Sequence, residues 1–355
     1  MLDFYEGKTV LVTGDTGFKG SWLCEILSLA GAKVIGYALQ PPTEPSLFNI
    51  LGLADRITSV IGDVRDYRKL EKVVNDYRPQ IVFHLAAQPI VLESYKNPRD
   101  TYEINVMGTV NILEAIRKAN CVRSFLNVTT DKVYENKDFR NHPFKEDEKL
   151  DGFDPYSNSK SCSELVTHSY RRSFFTNSNT AISTARAGNV IGGGDFSIDR
   201  IIPDCVRAAV SHRPIKVRNR FSTRPYQFVL EPLFAYLLIA EKQFFDESFS
   251  GYYNIGPDSV DALTTGKLVQ LFCDIWGEGS VWTDSTIPNA PHEAGFLSLD
   301  NSLMRKVFAW DPIYHIKDAI RLTVQWSKGY YNDGLSAAKE ITDKQIHEYS
   351  AVFGK

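Results

Sequence analysis

The chain is predicted to be a doubly wound α/β protein, a parallel sheet covered on both faces by helices. Short, nearly continuous apolar runs alternate with longer stretches whose apolar residues recur at helical spacing. The first run, Lys8-Thr-Val-Leu-Val-Thr13, leads into Gly14, Gly17 and Gly20 and then into an apolar-striped segment. Strands that are apolar throughout, rather than alternating, belong to sheets buried on both sides.

Each element follows from its own pattern. Residues 8–13 read as the first strand and 21–30 as a helix striped by Leu23, Ile26, Leu27 and Leu29. A second strand at 33–39 precedes a proline-rich loop at 40–45. Strands follow at 57–61, 80–85 and 123–128, separated by helices over 67–77 and 101–119. A helix over 156–170 and a strand at 181–185 extend the same sheet. Gly192-Gly-Gly-Asp195 then breaks the rhythm, a basic segment runs over 213–224, and 229–241 is helical. From Tyr252 the elements are short and irregular. This predicts a first domain of residues 1–190 plus about 224–251. A smaller α/β lobe, about 191–223 plus 252–330, faces it with the ligand between. Residues 331–355 are polar and weakly patterned, a surface helix or tail.

Composition excludes several classes of function. Of 355 residues, 43% are hydrophobic and 23% charged, with a formal net charge of -3, so neither nucleic acid nor an anionic membrane is an expected partner. The five cysteines are odd in number, far apart and never in C-x-x-C spacing, which argues against a disulfide framework or structural zinc. No apolar stretch approaches the ~20 residues that span a bilayer, and the first residues lack a signal-peptide pattern. A soluble cytoplasmic protein is expected.

The glycines form G-x-x-G-x-x-G directly after a buried strand and at the opening of a helix. Glycine is needed where the backbone turns sharply and where a Cβ would block a pyrophosphate, and helix N–H groups then face the negative charge. This is the fingerprint of a Rossmann dinucleotide site. It assigns Gly14, Thr16, Gly17, Phe18, Lys19 and Gly20 to a nicotinamide cofactor. Asp63 and Val64, at the end of the third strand, are assigned to the adenine. Leu85, Ala86, Ala87 and Gln88, at the end of the fourth, let the backbone pass close under the cofactor. One feature is missing: Val34-Ile-Gly-Tyr-Ala-Leu-Gln40 carries neither the acidic residue that reads the adenosine ribose nor an arginine. The choice between NAD and NADP is therefore not plainly encoded.

Tyr156 and Lys160 lie four apart on a predicted helix and share a face. A free phenol has a pKa of ~10, and an ammonium beside it, together with the positive nicotinamide ring, favours the phenolate, which makes Tyr156 a base for an alcohol. Thr130 ends the fifth strand as a hydrogen-bond partner for that alcohol. Asp131 and Lys132 add an acid–base pair that simple alcohol oxidation does not need. The segments Arg186-Ala-Gly-Asn189 and Arg218-Asn-Arg-Phe-Ser-Thr-Arg224 concentrate donors for the substrate. Arg213, Lys216, Arg218, Arg220 and Arg224 could grip a diphosphate, and Ser94, Gln227 and His292 are further substrate contacts. No cluster has metal-ligand spacing.

Together these motifs resemble the extended branch of the short-chain dehydrogenase/reductase superfamily, and within it the nucleotide-sugar 4,6-dehydratases of the CDP-glucose type. The resemblance rests on Gly17-Phe-Lys-Gly-Ser-Trp-Leu23, His84-Leu-Ala-Ala-Gln-Pro89, Asn105-Val-Met-Gly-Thr109, Thr130-Asp-Lys132 and Asp154-Pro-Tyr-Ser-Asn-Ser-Lys160. It continues through Arg186-Ala-Gly-Asn-Val-Ile-Gly-Gly-Gly-Asp195, Ile202-Pro-Asp-Cys205, Val229-Leu-Glu-Pro232 and His292-Glu-Ala294. The dTDP-glucose enzymes carry Asp-Glu where this chain has Asp131-Lys132. The chain departs from the resembled pattern at Asp15, usually His, at Leu92, commonly Arg, and at Tyr226 and Phe228, usually Trp and His.

The resemblance implies conversion of CDP-glucose to its 4-keto-6-deoxy product through NAD that is regenerated each turnover, a step of deoxysugar biosynthesis. Tyr156 would take the C4 hydroxyl proton, Lys132 the C5 proton, and Asp131 would protonate the departing C6 hydroxyl. Lys132 can act so only with a pKa well below ~10.4. The competing readings are a nucleotide-sugar 4-epimerase and a 4,6-dehydratase of a GDP- or dTDP-hexose. A homodimer or homotetramer is expected through the helices at 101–119 and 156–170.

Overall fold

In the computed structural model, which describes residues 1–137, 142–285 and 296–353, six consecutive strands, all but the third largely buried, and one late one form a single parallel sheet. They are β1 (Thr9–Thr13), β2 (Lys33–Ala38), β3 (Thr58–Ile61), β4 (Ile81–His84), β5 (Ser124–Thr130) and β6 (Ala181–Ala187), with Tyr252–Ile255 at the far edge. The order is β3-β2-β1-β4-β5-β6 and then the edge strand. It reverses direction between β1 and β4, and a crevice opens there at the carboxyl ends of the strands, where such sheets bind ligands.

Both faces of the sheet are apolar, as continuous apolar strands require. Along β1, Val10 and Val12 enter one core while Leu11 enters the other. The first face is covered by the helices Phe18–Leu29, Leu230–Phe245 and Ile316–Val352, through residues such as Trp22, Leu233 and Ile320. The second is covered by Tyr67–Tyr77 and Gly108–Ala119, through Leu70, Val74, Ile112 and Ile116. Asp66 caps the helix Tyr67–Tyr77, its carboxylate accepting from Lys69 N, and Asp154 caps Pro155–Tyr170 in the same way from Ser157 N.

Three differences from the sequence reading have physical causes. The helix expected over 101–119 is Pro98–Tyr102, a wide π-turn Glu103–Met107, and Gly108–Ala119. The wide turn delivers Asn105 to the Gln88 backbone and to Ser159 Oγ, contacts that no local pattern announces. The strand Tyr252–Ile255 was grouped with the second lobe, yet it pairs with β6 in the main sheet. Four residues are too short to carry a recognisable period. The polar segment after Tyr331 is helical through Val352, with a break at Gly334, and its second half is docked. Ala338, Ile346 and Tyr349 are buried there, and Tyr349 donates to Glu231 at 2.7 Å.

Beyond the sheet, Asn189–Ile191 pairs with Thr223–Phe228, which pairs with Ala262–Thr264. Ile215–Val217 pairs with Trp282–Asp284. These small sheets stand beside the crevice. No described helix is long and apolar enough to cross a membrane.

Candidate active site

The glycine-rich turn is shaped by contacts that only glycine permits. Gly14 has φ +81°, and a Cβ there would meet Ala86 N at 2.9 Å. A Cβ on Gly20 would fall 2.0 Å from the Gly14 carbonyl oxygen. The helix Phe18–Leu29 starts after Gly17 with no side chain capping its first N–H groups, which leaves those donors and the helix dipole to face an anion. Thr16 Oγ1 donates to the Leu39 carbonyl and ties the turn to the end of β2. Leu85, Ala86, Ala87 and Gln88 run beside it, half-buried, with Ala86 N donating to Thr13 Oγ1 at 3.2 Å.

Lys19 follows Phe18 on that helix. Burial, with repulsion from Arg200 and Lys160, lowers its pKa to about 7. Its ammonium lies 5.8 Å from the ring centroid of Tyr236, whose buried hydroxyl has no partner among the described residues. Neither Arg200 nor Tyr236 was singled out in the sequence, because residues this far apart in the chain share no motif.

Across the crevice, β5 ends in Thr130 and passes into a tight turn, Asp131–Val133. Thr130 Oγ1 donates to Asp131 Oδ1 at 3.0 Å and is hydrogen-bonded to the Tyr156 hydroxyl. Asp131 is 2% exposed, and its Oδ2 has no partner among the described residues. Burial raises its pKa above the usual carboxylate range, against the pull of Lys132 and Arg224. Gly188 keeps space over it, since a Cβ there would come within 3.1 Å of Oδ2.

The Tyr156 hydroxyl therefore lies beside Thr130 at the carboxyl end of β5, and its proton is held tightly. Burial pushes it up to about 12. Burial also lowers Lys160 to about 8, and the Lys160 ammonium donates to the Val128 carbonyl at 2.9 Å. The fixed charges alone do not make a phenolate. A positive charge beside the phenol is still required.

Other expected site residues serve the scaffold. Arg186 is fully buried. One guanidinium nitrogen pairs with Glu164 at 2.9 Å, and the other donates to the Tyr134 hydroxyl and the Glu146 carbonyl. Its two terminal nitrogens are spent inside the fold, and only its Nε has no partner among the described residues. Ser94 is buried and donates to the Val91 carbonyl, and Gln227 is buried with its amide on the Ile255 carbonyl. Arg218 sits at the surface on Asp199, 2.9 Å away. Gln88 spends its side chain on Thr101 and Ile90 N. Asp63 pairs with Arg65 at 2.7 Å, and Val64 packs beneath Gly108. Asn189 is half-buried at the start of its strand beside the crevice, and Arg224 lies in the same small sheet. His292 falls outside the described residues. Among the described residues no group of His, Cys, Asp or Glu has metal-binding geometry.

Comparison with known proteins agrees with this geometry. Residues 11–323 match the family model described as GDP-mannose 4,6 dehydratase. The chain is 43% identical to a CDP-glucose 4,6-dehydratase of Salmonella typhimurium over 97% of its own length and 98% of that protein's. It is 26% identical to a dTDP-glucose 4,6-dehydratase of Xanthomonas campestris, over 90% of this chain and 92% of the relative. Among solved structures, a UDP-glucose 4-epimerase of Thermotoga maritima superposes with a TM-score of 0.79 at 21% identity, covering 91% of this chain and all of the other (100%). A dTDP-glucose 4,6-dehydratase of Bacillus anthracis, solved with NAD, gives 0.76 at 22% identity over 94% and 100%. At such identities the structures speak for the fold. With a family match over most of its length and 43% identity to a full-length relative, the chain belongs to the GDP-mannose 4,6 dehydratase family of extended short-chain dehydrogenases/reductases.

Proposed function

We propose that this protein is a nucleotide-sugar 4,6-dehydratase that converts CDP-glucose to CDP-4-keto-6-deoxyglucose with NAD as a resident cofactor. The single observation that carries this reading is Asp131. It is a buried carboxyl biased towards its protonated form, with one oxygen unpartnered, one residue from the base candidate Lys132 and joined through Thr130 to Tyr156. An epimerase has no use for a general acid at that place; an elimination needs one.

The glycine turn and the uncapped helix start fit a dinucleotide pyrophosphate. NAD, when bound, supplies the hydride acceptor and donor and the positive ring that the Tyr156 phenol requires. Tyr156 takes the proton of the sugar C4 hydroxyl, with Thr130 holding the oxygen. Once C4 is a ketone, the C5 proton becomes acidic and Lys132 removes it. Asp131 gives its proton to the C6 hydroxyl, which departs as water. Return of the hydride to C6, and of the proton from Lys132 to C5, completes the 6-deoxy product. Asn189 and Arg224 face the substrate. Residues 1–190 with about 224–251 carry the dinucleotide and the remainder the sugar nucleotide, apart from Tyr252–Ile255, which completes the sheet. Two copies join through the helices at 98–119 and 155–170, where Met107 and Leu165 are exposed at 49% and 52%; light scattering of the purified protein tests this.

Incubation with CDP-, dTDP-, GDP- and UDP-hexoses, read by mass, decides the reaction. Loss of one water from CDP-glucose is the expected result. Inversion at C4 with no change of mass makes the protein an epimerase, and preference for another nucleotide corrects the substrate alone. Lys132→Met should stop water loss, and Tyr156→Phe should suppress reduction of the bound cofactor.

A further inference from the structure

One residue of the glycine-rich turn has no part in the chemistry above. Asp15 is fully buried. Its carboxylate accepts from Ser59 Oγ at 3.1 Å, and its Oδ1 has no partner among the described residues. The side chain lies directly on Gly36 of β2, where a Cβ would fall 2.1 Å from Oδ2. Any other residue at 36 would expel it. Gly14 N donates to the Tyr37 carbonyl, and Thr16 Oγ1 to the Leu39 carbonyl, so the turn that carries Asp15 is laced to the end of β2.

That strand end is where a dinucleotide fold places the acid that reads the adenosine ribose. In this chain β2 and the two residues after it, Leu39 and Gln40, bring no carboxylate and no arginine. An unpartnered buried oxygen calls for a donor, and a ribose hydroxyl is one. A phosphate on the same ribose would set like charges together.

We propose that Asp15, seated on Gly36 and held by Ser59, supplies the carboxylate that β2 lacks, accepts a hydrogen bond from the adenosine ribose and selects NAD over NADP. The inference rests on the dinucleotide reading of the site. It assigns to the turn itself the discrimination that the second strand ordinarily provides.

Titration of the nucleotide-free protein with NAD and with NADP, followed by tryptophan fluorescence, tests it without turnover. The wild type should bind NAD at least about tenfold more tightly than NADP, the scale of one charge-assisted hydrogen bond. Asp15→Asn should bring the two affinities to within about threefold. Asp15→His, carrying the residue usual in the resembled family, should lose the preference too and stands in if the first variant does not fold. Adding Leu39→Asp to Asp15→Ala places a carboxylate on the strand end and should restore it. An unchanged NAD preference in Asp15→Asn or Asp15→His overturns the role of Asp15 and leaves the dinucleotide site intact. A folded wild type that binds neither nucleotide overturns the dinucleotide reading itself.

Discussion

Glu164 and Asp131 are both buried carboxyls beside β5, and they have opposite fates. Glu164 accepts from Thr129 and Thr184, carries Arg186 at 2.9 Å and His168 at 3.1 Å, and is held well below the usual carboxylate range by Arg186 and its hydrogen bonds, which outweigh its burial. Asp131 has one hydroxyl on one oxygen and no partner among the described residues on the other, and burial raises it. Both are equally hidden from water. What separates the two is how completely the charge is satisfied: a saturated carboxylate holds strands together, while an incomplete one has its pKa raised by burial and an oxygen left over for a ligand.

The largest expected effect sharpens this contrast at the incomplete group. Asp131→Asn should leave the fold intact and reduce dehydration by about 10²–10⁴, the span of a general acid. Steady-state assays with a denaturation curve measure both. A variant with near-wild-type turnover would return Asp131 to the scaffold.

Arg186→Met attacks the saturated group. It strands Glu164 as an uncompensated buried charge and should cost about 3–5 kcal/mol of stability by urea unfolding. A loss below about 1 kcal/mol would mean that the ion pair is not the strut described, and a substrate role for Arg186 would return.

The smallest effect is in the pH dependence, where the two groups oppose each other. Glu164 has a depressed folded pKa, so its stabilisation is present above its unfolded value near ~4.3 and disappears as pH falls below that. Asp131 has a raised folded pKa, so its contribution is full below the unfolded value and is lost as pH rises through the folded one. Urea midpoints across pH should therefore fall less steeply on the acid side for Arg186→Met than for wild type. On the alkaline side Asp131→Asn should gain relative to wild type. Parallel curves for all three proteins would break the comparison.

Much of the site was legible because its residues sit at sheet ends that local pattern locates. The glycine spacing after β1, Thr130-Asp-Lys132 after β5 and the i, i+4 pair Tyr156 and Lys160 all converge on one crevice. The misassignments share a cause. Arg186, Ser94 and Gln227 are polar residues next to site motifs, and sequence cannot tell a donor aimed at a ligand from one aimed at a buried partner. Arg186 lies on β6 inside a recognisable motif, but its partner Glu164 belongs to the preceding helix and Tyr134 to a loop. The i, i+4 spacing of Tyr156 and Lys160 could not say that the Lys160 ammonium also binds a strand carbonyl, because Val128 lies far away in the chain.

By itself, then, the order of residues determined the alternating strands and helices, the parallel sheet, the glycine-rich turn after β1 and the candidates for the reacting groups, because each depends on spacing within a few residues. Tertiary structure alone decided which buried charges are saturated, why Gly36 must be glycine beneath Asp15, and how the polar C-terminal segment comes to dock through Tyr349 on Glu231. Those outcomes depend on pairs far apart in the chain, and only the packed fold brings such pairs within hydrogen-bond reach.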